Sequence, residues 1–219
     1  MKIAVLGTGM VGTTIATKLI ELGHEVTLGS RKADNDKAKA WLEQVDSDRA
    51  SAATFADAAA SAELVFNCTA GAKSLEALRM AGAENLADKI LVDLANPLDF
   101  SNGTPPTLSV CNETSLGEQI QAAFPEARVV KTLNTISAEV MVEPRELPGE
   151  HVVFVSGDDA DAKRWVEQTL LRDWLDWPEV VDLGDISTAR GTEMYLALWV
   201  RMWGALGTPA FNISIVRRG

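Results

Sequence analysis

The feature that most constrains the fold is a glycine pattern directly after the first apolar segment. Lys2–Leu6 is predicted to be a short strand, and Gly7-Thr8-Gly9-Met10-Val11-Gly12 follows it at once. A stripe of apolar residues with helical spacing begins inside the pattern and ends before Gly23. Its members are Val11, Ile15, Leu19 and Leu22. This order of strand, tight turn and amphipathic helix predicts the first unit of an open α/β sheet.

Each glycine of the pattern has a mechanical role in binding a dinucleotide. Gly7 permits the tight turn, Gly9 lets the backbone approach a pyrophosphate, and Gly12 lets the helix pack closely on the sheet. The free N–H groups of the helix that starts near Met10 then face the phosphates. A glycine turn without a ligand is the alternative, but its place between strand and helix favours a dinucleotide site.

Strands and helices are predicted to alternate along the rest of the chain. Further strands are expected at residues 25–28, 64–68, 90–94, 128–133, 152–156 and 180–183. Further helices are expected at residues 34–45, 54–61, 73–82, 115–123, 160–171 and 188–206, with a long surface loop at 99–113. The alternation predicts a Rossmann-type, doubly wound α/β fold: a mostly parallel sheet with helices on both faces and a C-terminal helical element.

The end of the second strand indicates which dinucleotide is bound. NAD sites place Asp or Glu about 20 residues after the glycines, where the carboxylate binds the ribose hydroxyls. This chain has Ser30, Arg31 and Lys32 in that region and no carboxylate before Asp34. A hydroxyl and a guanidinium fork bind a 2′-phosphate, which a carboxylate would repel. The residues therefore predict NADP(H), with a solvated basic turn as the alternative.

Small, amide and hydroxyl side chains follow the later strands. Thr69 and Ala70 follow one strand, Asn96 follows the next, and Asn134 follows another. Because a ligand of an open α/β sheet crosses the carboxyl ends of the strands, we expect all four to line the cofactor. Asn96 and Asn134 are the candidates for contact with the nicotinamide, and turn-forming asparagines are the alternative.

The titratable residues form no recognisable acid–base pair. His24 and His151 precede strands and are expected at the surface in structural roles. Tyr195 lies in an apolar helix, and Lys131 lies within a strand. Reduction of a carbonyl needs a proton donor, whereas hydride transfer between two redox cofactors needs alignment and exclusion of water. No catalytic residue is assigned, and the pattern favours transfer from cofactor to cofactor.

Composition limits the partners and the compartment. A net charge of −11 disfavours nucleic acid and anionic membranes, which would repel the protein. The first apolar run breaks at Gly7, too early for an export signal, and no run reaches the ~18 apolar residues of a membrane span. Cys68 and Cys111 have no metal-ligand spacing. We therefore expect a cytoplasmic protein without a bound metal.

Four motifs together resemble a known family. GTGMVG, GSRK, DLANPLD and KTLNTIS are similar to motifs of the NADP oxidoreductases that reduce or oxidise the deazaflavin coenzyme F420, and the similarity covers roughly residues 1–157. The nucleotide domain is also similar to the cytosolic part of six-transmembrane metalloreductases, which pass hydride from NADPH to flavin. The resemblance implies that residues 8–11 cradle the pyrophosphate and that Ser30 and Arg31 hold the 2′-phosphate. It also implies that Asn96 and Asn134 lie beside the nicotinamide.

Two regions depart from the family pattern. Family members often carry another lysine one turn beyond the arginine, where this chain has Asn35 between Lys32 and Lys37. The third ligand of the phosphate is therefore left open. The loop at residues 99–113 and the tryptophan-rich tail are longer than in the archaeal-type enzymes of the family. They resemble a bacterial branch that ends in ARGTEMYLALWVRMWGALGTPAFNI.

Apolar residues cover the predicted C-terminal helix almost all round. They are Met194, Leu196, Leu198, Trp199, Val200, Met202, Trp203 and Leu206. Because one sheet covers only one face of a helix, we expect a second subunit to cover the other face in a homodimer. The alternative is that Trp199 or Trp203 lines the pocket for a flat ring. Residues 1–219 are then a single NADP-binding domain, with 186–219 used in dimerisation.

The sequence thus predicts an NADP(H)-dependent oxidoreductase that transfers hydride between NADPH and a deazaflavin or flavin cofactor, with coenzyme F420, FMN and FAD as candidates. An NADP-binding redox sensor without turnover is one alternative. A small-molecule carbonyl or imine dehydrogenase is another, although such enzymes carry a large helical domain after the sheet.

Overall fold

A twisted eight-stranded sheet forms the centre of the structure, a computed structural model that describes residues 1–218. In chain order the strands are β1 (Lys2–Leu6), β2 (Glu25–Ser30), β3 (Ala50–Thr54), β4 (Leu64–Asn67), β5 (Ile90–Asp93), β6 (Leu98–Asp99), β7 (Thr107–Leu108), β8 (Arg128–Thr132), β9 (Val152–Ser156) and β10 (Glu179–Gly184). The pair β6–β7 is a separate short hairpin.

The eight strands of the sheet lie in the order β10-β9-β8-β5-β4-β1-β2-β3. The six strands from β8 to β3 are parallel, β9 is antiparallel to β8, and β10 is parallel to β9. The direction of chain progression reverses between β1 and β4, so a crevice lies at the carboxyl ends of these two strands. The predicted Rossmann-type, mostly parallel sheet is confirmed.

Helices cover both faces of the sheet. They are α1 (Met10–Glu21), α2 (Asp36–Val45), α3 (Phe55–Ser61), α4 (Gly71–Ala81), α5 (Ala83–Leu86), α6 (Leu116–Ala123), α7 (Ala138–Val142), α8 (Ala160–Trp165) and α9 (Ala189–Leu206). The central strand β1 is buried on both sides: Ile3 and Val5 pack with α1, α2 and α7, whereas Ala4 and Leu6 pack with α3, α4 and α6. Burial on both sides explains why the central strands are continuous apolar runs.

Four of the nine α-helices within residues 1–218 begin at a capping side chain. Asn35, Thr54, Ser115 and Asp159 accept backbone N–H groups at the starts of α2, α3, α6 and α8. These residue types satisfy N–H groups that have no partner within the helix. The helices α1 and α4 begin at Gly9 and Ala70, which provide no such cap.

Several elements differ from the sequence-based expectations. The strand β3 was not predicted, because its Ala-Ser-Ala-Ala-Thr sequence lacks the bulky residues typical of strands. The five-residue helix α7 was also not predicted, and the hairpin β6–β7 occupies part of the expected loop. The helix expected at 160–171 changes after α8 into a π-helix, Val166–Trp174. His151, expected at the surface, is buried and contacts the Pro144 carbonyl and Asn212.

The C-terminal helix α9 buries only one side against the rest of residues 1–218. Leu196 and Trp199 are buried, whereas Met194, Leu198 and Leu206 are exposed. The segment after α9 returns to the sheet, where the carbonyl of Ile213 accepts the N–H of Val152 at 3.1 Å. Within residues 1–218, none of the helices combines the length and apolar character needed to cross a membrane.

Candidate functional site

Two of the three motif glycines in the turn between β1 and α1 are sterically required. Gly7 has a φ of +123°, and a Cβ there would lie 2.5 Å from the carbonyl oxygen of Cys68. A Cβ on Gly12 would overlap the carbonyl oxygen of Gly7. Only glycine therefore lets the chain turn at Gly7 and lets α1 approach the turn at Gly12.

Gly9 differs from the other two, because its Cβ would meet no protein atom within 4 Å. It occupies the N-cap position of α1 with an extended backbone, and the first turn of the helix contains no acidic residue. The N–H groups of Met10, Val11 and Gly12 therefore lie at an uncapped helix end. Open space beside Gly9 and unpaired N–H groups next to it meet the requirements of a pyrophosphate.

The end of β2 carries the basic residues next to this turn. Ser30 is buried, and its Oγ donates a hydrogen bond of 2.5 Å to the Lys32 carbonyl oxygen. Arg31 is exposed and forms no ion pair within residues 1–218. Asn35, which stands near the usual lysine position, accepts the N–H groups of Lys37 and Ala38 as the cap of α2. The side-chain oxygen of Asn35 is thus already hydrogen-bonded within the protein.

A cavity of about 390 Å³ connects the turn with the end of β2 and the start of α4. Its lining includes Gly7, Thr8, Gly9, Arg31, Phe55, Cys68, Thr69, Ala70, Lys73, Glu76, Ala77 and Met80. Lys73 was not among the predicted site residues, because its position in α4 gives no indication of closeness to Arg31. Its Nζ lies 3.2 Å from Glu76 in an exposed ion pair, and such pairs are weak. Lys73 thus lies in one cavity with Arg31.

Gly71, the first residue of α4, brings this helix against the segment that follows β5. A Cβ on Gly71 would overlap the carbonyl oxygen of Asn96 and would lie 3.0 Å from the nitrogen of Pro97. The start of α4 and the chain beside Asn96 are therefore in direct backbone contact.

Asn96 and Asn134 form a reciprocal pair across the ends of β5 and β8. The Nδ2 of Asn96 donates to the backbone carbonyl of Asn134 at 2.8 Å, and the Nδ2 of Asn134 donates to Oδ1 of Asn96 at 3.0 Å. The preceding residue, Leu133, is buried and has a φ of +60°, which is strained for a leucine. The structure thus brings together the two asparagines that the sequence placed at separate strand ends.

A buried ionic cluster lies beside this pair. The Nζ of Lys131 is 2.8 Å from Oδ2 of Asp93 and 2.8 Å from Oε1 of Glu193, and it also donates to the carbonyl of Ala95. The side chains of Lys131 and Asp93 are fully buried, and that of Glu193 is 2% exposed. Burial alone would lower the pKa of Lys131, but Asp93 and Glu193 raise it above its ordinary value. Lys131 therefore remains a cation.

Both carboxylates of the cluster accept additional hydrogen bonds. Asp93 Oδ1 accepts the Nδ2 of Asn67 at 2.8 Å and the N–H of Ala95 at 3.2 Å. Glu193 accepts the N–H groups of Leu116 and Gly117 at 2.7 and 3.0 Å, at the start of α6. These N–H groups offset the negative charge of Glu193.

Comparison with known proteins assigns this arrangement to a family. A family model described as NADP oxidoreductase, coenzyme F420-dependent, matches residues 2–97. A crystal structure from Arthrobacter sp. FB24, assigned as an F420-dependent NADP-reductase, is 58% identical, covers 99% of this chain and 100% of its own, and has a TM-score of 0.93. The chain belongs to the coenzyme F420-dependent NADP oxidoreductase family. It is an NADP-dependent oxidoreductase.

Two curated relatives are similar to this chain in sequence but differ in length. The F420-dependent NADP reductase of Methanothermobacter marburgensis is 29% identical over 210 residues, which are 92% of either protein. Metalloreductase STEAP3 of Rattus norvegicus is 31% identical over 193 residues, 88% of this chain but only 36% of the relative. The chain thus spans about a third of the length of that relative, and both resemblances inferred from the motifs are confirmed.

Around the crevice of this NADP oxidoreductase, the structure brings together two groups of predicted residues. One cavity is shared by six of them: Gly7, Thr8, Gly9, Arg31, Thr69 and Ala70. Asn96 and Asn134 form the second group. The ionic cluster with Glu193 was not predicted, because Glu193 lies in a helix far along the chain.

Proposed function

We propose that the protein binds NADPH along the carboxyl ends of β1, β2, β4, β5 and β8 and transfers its hydride to a deazaflavin such as coenzyme F420. The uncapped start of α1 carries this proposal, because it shares a cavity with Arg31, which forms no ion pair within residues 1–218. Gly7, Thr8, Gly9, Met10, Val11 and Gly12 would hold the pyrophosphate. Ser30, Arg31 and Lys32 would hold the 2′-phosphate, and Thr69 and Ala70 would line the cofactor.

The residues at the phosphate end fit an anionic cofactor. A Cβ at Gly9 would occupy the space that a pyrophosphate needs, and the first turn of α1 has no carboxylate to compete with it. Arg31 offers a guanidinium fork whose geometry suits a phosphate. Lys73, in the same cavity, is the candidate for the third phosphate ligand, because its exposed pair with Glu76 is easily exchanged.

The amide pair fits the nicotinamide end. A primary amide carries two N–H groups, and Asn96 and Asn134 each use one of them within the pair. The remaining N–H groups match the carboxamide oxygen of a nicotinamide. When bound, NADPH supplies the hydride, so the task of the protein is to align the two rings and exclude water.

The hydrogen bonds of the buried Lys131 favour a deazaflavin or flavin (FMN or FAD) over a carbonyl substrate as the hydride acceptor. Lys131 has three N–H groups, and its three acceptors are Asp93, Ala95 and Glu193. It therefore has no proton to offer a substrate. Hydride transfer between two cofactors does not require such a donor, whereas reduction of a carbonyl does.

We also propose that α9 forms a homodimer interface and that the protein functions in the cytoplasm. Met194 and Leu198 are exposed and lie four residues apart, a spacing that places them on one side of the helix. An exposed apolar stripe of this kind is typical of subunit contacts. Cys68 and Cys111 are both free thiols, in keeping with a reducing compartment.

A stopped-flow screen tests the proposed function. The protein is mixed with NADPH and with coenzyme F420, FMN or FAD in turn, and loss of NADPH absorbance is followed. We expect the fastest transfer to coenzyme F420. Absence of hydride transfer to all three acceptors would refute the proposal, and NADPH binding without any transfer would favour a redox sensor.

A further inference from the structure

A buried polar link joins the C-terminal helix to the backbone beside Asn96. Glu193 of α9 contacts Nζ of Lys131 at 2.8 Å, and the same Nζ donates to the carbonyl of Ala95. The next residue is Asn96, whose side chain pairs with Asn134. A single side chain, that of Lys131, therefore separates α9 from the chain that carries the amide pair.

The link allows little adjustment, because its hydrogen-bonding groups are already in use. Lys131 directs its three N–H groups at three acceptors, and both oxygens of Glu193 accept backbone N–H groups of α6. Asp93 holds the N–H of Ala95 while Lys131 holds its carbonyl. The backbone N–H and the backbone carbonyl of Ala95 are thus both held by the cluster, and movement of α9 would break at least one of these bonds.

We propose that Glu193 is a positioning residue that aligns the Asn96–Asn134 amide pair with the nicotinamide through Lys131 and Ala95. The inference rests on the proposed NADPH site. It gives α9 a role in aligning the reacting ring, in addition to its proposed contact with a second subunit. Since hydride transfer depends steeply on the approach of the two rings, a small displacement of the pair changes the rate more than the affinity.

The net charge of the cluster determines which substitution of Glu193 leaves the remaining buried charges paired. Two carboxylates and one ammonium give the cluster a net charge of −1, because −2 + 1 = −1. Glu193→Gln leaves Lys131 and Asp93 as a balanced pair, so no buried charge loses its last partner. Glu193→Asp keeps the charge but shortens the side chain by one methylene. It is the second variant if Glu193→Gln does not fold.

Glu118 offers a matched control. It forms another contact between α6 and α9, in which the Nε and one terminal nitrogen of Arg190 lie 2.8 and 2.5 Å from its carboxylate oxygens. This pair is partly exposed. Glu118→Gln therefore removes a carboxylate from the same pair of helices without altering the bonds of Lys131.

The experiment compares the wild-type protein with Glu193→Gln and Glu118→Gln. Single-turnover hydride transfer, the KM for NADPH, the Kd for 2′,5′-ADP and the emission of bound NADPH are measured for each. In Glu193→Gln we expect the hydride-transfer rate to fall roughly tenfold to a hundredfold. Both constants should stay within about threefold, since the phosphate contacts are unchanged, and the emission of bound NADPH should shift. Glu118→Gln should match the wild type, and Glu193→Asp should lose a smaller factor in the same rate.

Two outcomes would overturn the proposal. In one, Glu193→Gln keeps the wild-type rate and the wild-type emission of bound NADPH. In the other, both glutamine variants lose the same factor, which would assign the effect to docking of α9 as a whole. If the wild-type protein transfers hydride to none of the acceptors, the proposed function fails instead. The emission of bound NADPH and the ratio of its Kd to that of 2′,5′-ADP then still decide whether Glu193 positions the nicotinamide.

Discussion

The two ends of the candidate site differ in how their polar groups are satisfied. At the end formed by β1 and β2, α1 has no cap, Gly9 adjoins open space, and Arg31 forms no ion pair within residues 1–218. At the end formed by β5 and β8, Lys131 and Asp93 are fully buried and hydrogen-bonded within the protein. The first end keeps its polar groups for a ligand, and the second uses them to hold the backbone. In the proposed function, different residues therefore bind the cofactor and align its ring.

The largest effect is expected from Lys131→Met, which removes the cation from the end of the site formed by β5 and β8. This end is called the satisfied end, because its polar groups are hydrogen-bonded within the protein, and the end formed by β1 and β2 is called the open end. The variant leaves Asp93 and Glu193 as buried carboxylates without a cation, so the free energy of unfolding should fall by about 3–5 kcal/mol. Urea denaturation measures this loss. Lys163→Met removes a partly exposed ion pair with Asp182 and should change stability by less than about 1 kcal/mol. Equal losses of the free energy of unfolding in the two variants would show that the buried cluster stabilises the fold no more than an exposed ion pair does.

The next largest effect is expected from Arg31→Asp at the open end. Loss of a charged hydrogen bond and new repulsion should weaken NADPH binding by about 2–4 kcal/mol, while NADH binding hardly changes. Calorimetric titration with both cofactors checks this. Arg49→Asp makes the same change of charge just before β3, at the amino ends of the parallel strands, and should leave both affinities unchanged. Equal weakening of NADPH and NADH by Arg31→Asp would contradict the assignment to the 2′-phosphate.

The open end could be predicted from the sequence more completely than the satisfied end. Gly12 and Arg31 lie within a few residues of the end of a strand, and Gly7 follows a strand directly, so the motif predicts their positions. The cluster depends on Glu193, 62 residues after Lys131, and no periodicity in the sequence relates the two positions. Only the packing of α9 on α6 brings them together.

The same distinction applies to the secondary structure. Apolar strands such as β1 and β4 were predicted because burial on both faces requires continuous apolar residues. The edge strand β3 contacts only one neighbouring strand, and its small residues give no such pattern. The start of α4 after Ala70 was not predicted, because the expected helix began at residue 73, and only the fold shows that α4 adjoins the same cavity.

Substitutions of two glycines, Gly12 and Gly9, are expected to affect stability and NADPH binding differently. Gly12→Ala forces a Cβ into the Gly7 carbonyl and should lower the free energy of unfolding by about 1–3 kcal/mol. Gly9→Ala meets no protein atom and should cost at most about 1 kcal/mol of stability, yet it should weaken NADPH binding. Thermal unfolding and NADPH titration of both variants give the comparison. Unchanged NADPH affinity in Gly9→Ala would place the pyrophosphate elsewhere.

The smallest effect is expected from Glu118→Gln and depends on pH. The hydrogen bond from Arg190 lowers the pKa of Glu118 below its ordinary value. A lowered pKa in the folded state stabilises the protein above the ordinary pKa, and this contribution is lost as the pH falls through the folded-state value. The variant should therefore be slightly less stable than the wild type near neutral pH and equal to it in strong acid. A difference that persists in acid would show that the pair does not act through the charge of Glu118.

The contact between Gly71 and the Asn96 carbonyl has a consequence for the length of the ligand. It fixes the start of α4, which lines the cavity shared with Arg31, directly against the chain that carries the amide pair. The distance between the two ends is thus set by main-chain atoms, and changes of surface side chains do not alter it. In the proposed site, the crevice would therefore suit a molecule whose phosphates and distal ring are separated by one fixed span. A shorter nucleotide would then occupy only one end of the proposed site.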